Sequence, residues 1–161
     1  MDPTSKATMG RILGIDFGTK RVGAALSDPR RLIATPLEVY ERRDLTQDAK
    51  HYRLLMEENE VERIVIGLPV HLSGREGTSA SLARTWGDWL QAATGVPVVF
   101  SDERFTSVDA EEALISVGMR RSKRKGFRDM LAAQIVLQHY LDDGCPDNEA
   151  RTQPLNDAEG P

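Results

Sequence analysis

The chain has 161 residues, 40% apolar and 29% charged, with a formal net charge of −4. That length suits one domain with a core of its own, and the composition excludes a fibre, a collagen-like repeat and wholesale disorder. Residues 1–10 lack the apolar run of a secretory signal, no stretch approaches the ~20 apolar residues of a membrane span, and Cys145 has no cysteine to pair with; the expected setting is the cytoplasm.

The first element reads RILGIDFGT from Arg11, an apolar run ended by Gly18, and RVGAALSD follows from Arg21 after a gap too short for a parallel crossover. The pair is therefore expected as an antiparallel hairpin. RLIATPLEVY, from Arg31, makes a third meandering strand, and its Pro36 favours a sheet edge because proline removes a ladder donor. From Asp44 to Asn59 the spacing of Leu45, Ala49, Tyr52, Leu55 and Met56 is helical, with Asp44 placed as the N-cap.

RIVIGLPV, from Arg63, reads as a buried strand, and the loop HLSGREGTS leads to a helix over about 78–93 that Gly95 ends. VPVVFSDE is the next strand, closing at Glu103. A helix is expected over 107–118, then a basic loop over 120–128, then a last helix from about Phe127 to Leu141 with a stripe of Ala132, Ala133, Val136, Leu137 and Tyr140. The folded domain is thus expected over 10–142. The extension 1–9 and the acidic tail 143–161, which is poor in apolar residues, are expected to be disordered.

Three meandering strands followed by alternating helices and strands match the RNase H-like α/β class, a mixed five-stranded sheet of order 3-2-1-4-5 flanked by helices. In that layout three acids should meet. Asp16 interrupts the apolar run of the first strand near its carboxyl end, Glu103 lies at the carboxyl end of the last strand, and Asp129 falls on the sheet-facing stripe of the last helix. Each has an ordinary explanation alone: a turn residue before Gly18, a surface glutamate, a helix-dipole partner. One topology places all three at one edge, where converging carboxylates call for divalent cations. Hard oxygen ligands suit Mg²⁺ or Mn²⁺, and a pair of such ions is the arrangement used for phosphodiester hydrolysis.

Charge points to the same class of partner. Arg120, Arg121, Lys123, Arg124, Lys125 and Arg128 crowd into nine residues, whereas the stretch from Asp142 onward holds six acids and one base. The basic run could be a solvated loop, but its place immediately before Asp129 fits the backbone of a nucleic acid.

GIDFGTKRVGAALSD, IVIGLPV, SDERFTSVDAEE and GFRDMLAAQIVLQHYLD together resemble the YqgF family, also called RuvX, over residues 10–142. The resemblance implies a divalent-metal-dependent RNase H-like nuclease, acting in pre-16S rRNA processing or, alternatively, in Holliday junction resolution. It also implies catalytic and metal-binding roles for Asp16, Glu103 and Asp129, with Lys20, Arg104 and Thr106 around the substrate. The chain departs from the family pattern at His71, Leu72, Ser73 and Gly74. A homodimer would serve paired cuts at a junction, and no membrane partner is implied. Two rivals remain: a nucleotide-binding lobe, since GIDFGT resembles the first phosphate loop of actin and sugar-kinase ATPases, and a non-catalytic ribosome-assembly factor.

Overall fold

A mixed sheet of five strands carries helices on both faces in the computed structural model, which describes residues 10–69, 77–103 and 121–146. In chain order the elements are β1 (Arg11–Asp16), β2 (Arg21–Ser27), β3 (Ala34–Glu41), α1 (Leu45–Glu58), β4 (Val61–Pro69), α2 (Thr78–Thr94), β5 (Val98–Glu103) and α3 (Arg121–Asp142). The sheet order is β3-β2-β1-β4-β5; β2 is antiparallel to both β1 and β3, and the β1, β4 and β5 pairings are parallel. This is the RNase H-like order expected from the sequence. Pro36 does lie on an edge strand, and the β2–β3 register slips there, pairing Ala24 with Glu38 but Ala25 with Pro36. Leu37 is the extra residue of a bulge, the usual accommodation of a strand that has lost a donor.

Strand alternation sorts the core into two layers. Leu13, Ile15, Val22, Ala24, Ile64, Ile66 and Phe100 pack against Tyr52, Leu55 and Met56 of α1 and Ala83, Trp86 and Leu90 of α2. On the other face Ile12, Ala25 and Val65 pack against Ala133, Val136, Leu137 and Tyr140 of α3. The strands shared by both layers therefore carry continuous apolar runs, as a sheet covered on both sides requires.

The helix ends follow local chemistry. Asp44 caps α1 by accepting from the Gln47 amide at 2.8 Å, and α2 stops at Gly95, whose φ of 76° suits a residue without a Cβ. The last helix differs from expectation at its start. α3 begins at Arg121, so residues 121–128 are helical rather than a loop. Lysine and arginine are good helix formers, and the single Gly126 costs only about 1 kcal/mol relative to alanine; the stripe from Ala132 to Leu141 holds the helix to the sheet. Beyond α3, residues 143–146 turn back, with the Cys145 carbonyl accepting from Arg63 at 3.2 Å and the Pro146 carbonyl from the Tyr140 hydroxyl at 2.7 Å. The expected helix over 107–118, the extension 1–9 and residues 147–161 lie outside the described residues.

Candidate active site

β1 delivers Asp16 to the carboxyl edge of the sheet, where Gly23 of β2 is its antiparallel partner. Ile12, Gly14 and Asp16 alternate onto the α3 face, so the carboxyl group lies under the last helix. Two glycines allow α3 to approach. A Cβ at Gly14 would run into Leu137, and one at Gly23 would run into the backbone of Asp129. Gly23 therefore seats Asp129 directly over the residue that pairs with Asp16.

The two carboxylates feel each other. Asp16 is pushed up to about 7, first by burial, then by the negative charge of Asp129, with Arg128 partly offsetting the rise. The Asp129 side chain, 14% exposed, accepts from Arg21 Nε at 3.2 Å on Oδ2, while Arg128 Nε lies 3.8 Å from its Oδ1. A partly buried acid that holds its proton near neutral pH beside a second, salt-bridged acid is a pair with unmet demand for positive charge. Hard oxygen donors in that state fit a divalent cation of the Mg²⁺ or Mn²⁺ class.

The third acid is placed by register. Ile15 pairs with Ile66 and Ile66 with Phe100, so β5 runs on through Ser101 and Asp102 to Glu103 at the same carboxyl edge. Val99 contacts the α3-side layer and Phe100 the opposite one, which puts position 103 on the α3 face, the face of Asp16, and position 102 on the opposite face. Among the described side chains no three metal-ligating residues gather; the described pair is Asp16 and Asp129.

The surrounding cations are partly described. Lys20 is exposed in the β1–β2 turn, and Arg42 clamps that turn: its amide donates to the Lys20 carbonyl and its Nη1 to the Thr19 carbonyl, both at 2.9 Å, with the guanidinium 5.1 Å from the Phe17 ring. Arg121, Lys123, Arg124 and Lys125 fall in the first turns of α3 and Arg128 follows them; Arg104, Thr106 and Arg120 lie outside the described residues. Sequence reasoning missed Arg21 and Arg42. The only signal available was position, since Arg21 opens a strand whose alternation directs it to the α3 face.

Residues 10–143 match the family model RuvX, described as Holliday junction resolvase. A relative from Koribacter versatilis (strain Ellin345), named "Putative pre-16S rRNA nuclease", is 41% identical over 136 residues, 84% of this chain and 89% of its own length. One of the same name from Lactococcus lactis subsp. lactis (strain IL1403) is 42% identical over 82% of this chain and 94% of its own. Among solved structures the chain is similar to T. thermophilus RuvC in complex with a Holliday junction substrate, with 18% identity and a TM-score of 0.52 over 83% of this chain and 94% of that one. The Fowlpox virus resolvase in complex with Holliday junction DNA is similar at 12% identity and a TM-score of 0.51, over 83% of this chain and 97% of that one. Those two likenesses establish the shared fold. The match over nearly the whole described chain, at about two-fifths identity to full-length relatives, establishes the family: the chain belongs to the RuvX family.

Proposed function

We propose that this protein is a cytoplasmic, divalent-metal-dependent nuclease that hydrolyses phosphodiesters of nucleic acid at Asp16, Glu103 and Asp129, with the precursor of 16S ribosomal RNA as its substrate. The observation that carries the reading is the seating of Asp129 over Gly23, which brings two carboxylates together at the sheet edge and leaves Asp16 short of positive charge. Asp16, Asp129 and, by its register position, Glu103 would hold Mg²⁺ or Mn²⁺, which supplies activation of the attacking water and stabilisation of the leaving oxygen. The chain's own residues do the rest. Asp16 at the end of β1 and Asp129 within α3 would hold the metal ions on rigid elements, Arg128 and Arg21 offset the charge of Asp129, and the basic residues of 120–128 with Lys20 hold the phosphate backbone beside the acids. Arg104 and Thr106, just past β5, would complete the substrate contacts.

RNA is ranked first because the relatives at about 40% identity bear the name of an rRNA nuclease. The family description favours a second reading, resolution of four-way DNA junctions, which would need two active sites and hence a two-fold homodimer. The test offers the purified protein, with Mg²⁺ or Mn²⁺, matched single-stranded RNA, single-stranded DNA and an immobile junction, while its mass in solution is measured. RNA cleavage lost in Asp129→Asn is the expected result. Paired symmetric cuts by a stable dimer that leaves RNA intact would replace it with the junction reading. If no substrate is cut with any divalent ion, a non-catalytic assembly role is the better account.

A further inference from the structure

Arg21 opens β2 on the α3 face, two residues before Gly23, and its Nε donates to Asp129 Oδ2 at 3.2 Å. The partners are 108 residues apart in sequence, so the contact exists only because α3 is docked on the hairpin. The Asp129 carboxylate is 14% exposed and the Arg21 side chain 35% exposed, so the pair sits at the mouth of the acidic site rather than in open solvent. Arg128 approaches the other carboxylate oxygen less closely, at 3.8 Å, and belongs to the same helix. Of the two described cations at Asp129, Arg21 thus makes the shorter contact and the one that ties helix to sheet.

We propose that Arg21 is a positioning residue of the acidic site: its guanidinium holds the Asp129 carboxylate in place beside Asp16 and supplies positive charge there, in competition with a divalent cation for Asp129. The inference rests on the metal-binding reading of that site. A carboxylate oxygen engaged by a guanidinium must give up or share that bond to ligate a metal, so the contact sets how tightly the metal is held and keeps Asp129 ordered before it arrives.

The test is calorimetric titration of the full-length protein with Mn²⁺ at constant ionic strength, with thermal melts to verify folding. Arg21→Gln should bind Mn²⁺ about tenfold more tightly, equivalent to about 1.4 kcal/mol, and cleave with a lower maximal rate that is reached at lower Mn²⁺. If Arg21 held Asp129 in place without competing for its oxygen, its loss would instead only loosen Asp129 and weaken the metal. Arg21→Lys, which keeps the charge but shortens the reach and removes the Nε donor, should show a smaller increase in affinity, and it carries the test if the glutamine variant does not fold. Arg43→Gln, removing an exposed charge beyond the end of β3, should leave the affinity unchanged. Unchanged or weakened affinity in the Arg21 variants, or equal tightening in Arg43→Gln, overturns the proposal. Wild-type protein that shows no Mn²⁺ binding sensitive to Asp16→Asn would overturn the metal reading itself, and this inference with it.

Discussion

Asp16 titrates in the wrong range for a carboxylate, and the sign of the consequence is fixed. Its ordinary value is near 4 and its folded value about 7, so between those limits the folded state holds a proton that the unfolded state has lost. In the metal-free protein stability therefore falls as pH rises from about 4 to 7 and levels off above, by roughly 4 kcal/mol for a three-unit shift at 1.36 kcal/mol each. Asp16→Asn removes that dependence. Urea unfolding in chelator should find the variant more stable than wild type at pH 8, by a few kcal/mol beyond any difference at pH 4, and adding Mn²⁺ should stabilise wild type alone. Equal pH profiles for the two proteins would refute the burial argument. Asp16 was legible in the sequence because a charge inside an apolar run is conspicuous. Asp48 was not: it is 1% exposed in the first turn of α1, accepting from the Tyr40 hydroxyl at 2.7 Å and the Arg43 amide at 2.9 Å, partners that a surface-like helical aspartate gives no reason to expect.

At the scale of elements, the meander, the two parallel crossovers and the sheet order could all be read from apolar periodicity and gap lengths, because short gaps exclude crossovers and long helical ones require them. The start of α3 could not, since a run of lysines and arginines looks equally like a solvated loop or a solvated helical face. Nor could the docking depth of that helix. It depends on Gly23, which in sequence resembles any small residue of a strand but in the fold meets the Asp129 backbone. Gly23→Ala is the sharp test, because the obstructing atoms include a backbone carbonyl that no rotamer change can move. The helix must lift near Asp129, costing roughly 1–3 kcal/mol as overpacked cores do. Thermal melts should record that loss, and cleavage should fall further than stability alone explains, since Asp129 is displaced from Asp16. A variant with wild-type melting and full activity would mean that the close approach does not set the site.

Across the whole molecule, charge is divided by position rather than by amount. Six acids and one base lie from Asp142 onward, so the remainder of a chain of net charge −4 is close to neutral, with six cations packed into 120–128. Within α3, Arg121, Arg124, Lys125 and Arg128 recur at spacings of three, four and seven, which places them on one helical face, and that face continues to Asp129 and Ala132. Under the proposed function, basic positions on α3 leading toward Asp129 would give a phosphate backbone a path to the acids. Replacing Arg121, Lys123, Arg124 and Lys125 by alanine keeps the helix, because alanine is the best helix former, and removes four potential phosphate contacts. Binding of single-stranded RNA and of DNA should weaken alike, and the log-log dependence of affinity on salt should flatten by roughly 3 units, at about 0.7 to 0.9 per contact. Circular dichroism should be unchanged, which separates lost contacts from lost structure. If the salt slope stays where it was in wild type, the stripe is a solvated face, and the nucleic acid must be held from the β1–β2 turn around Lys20.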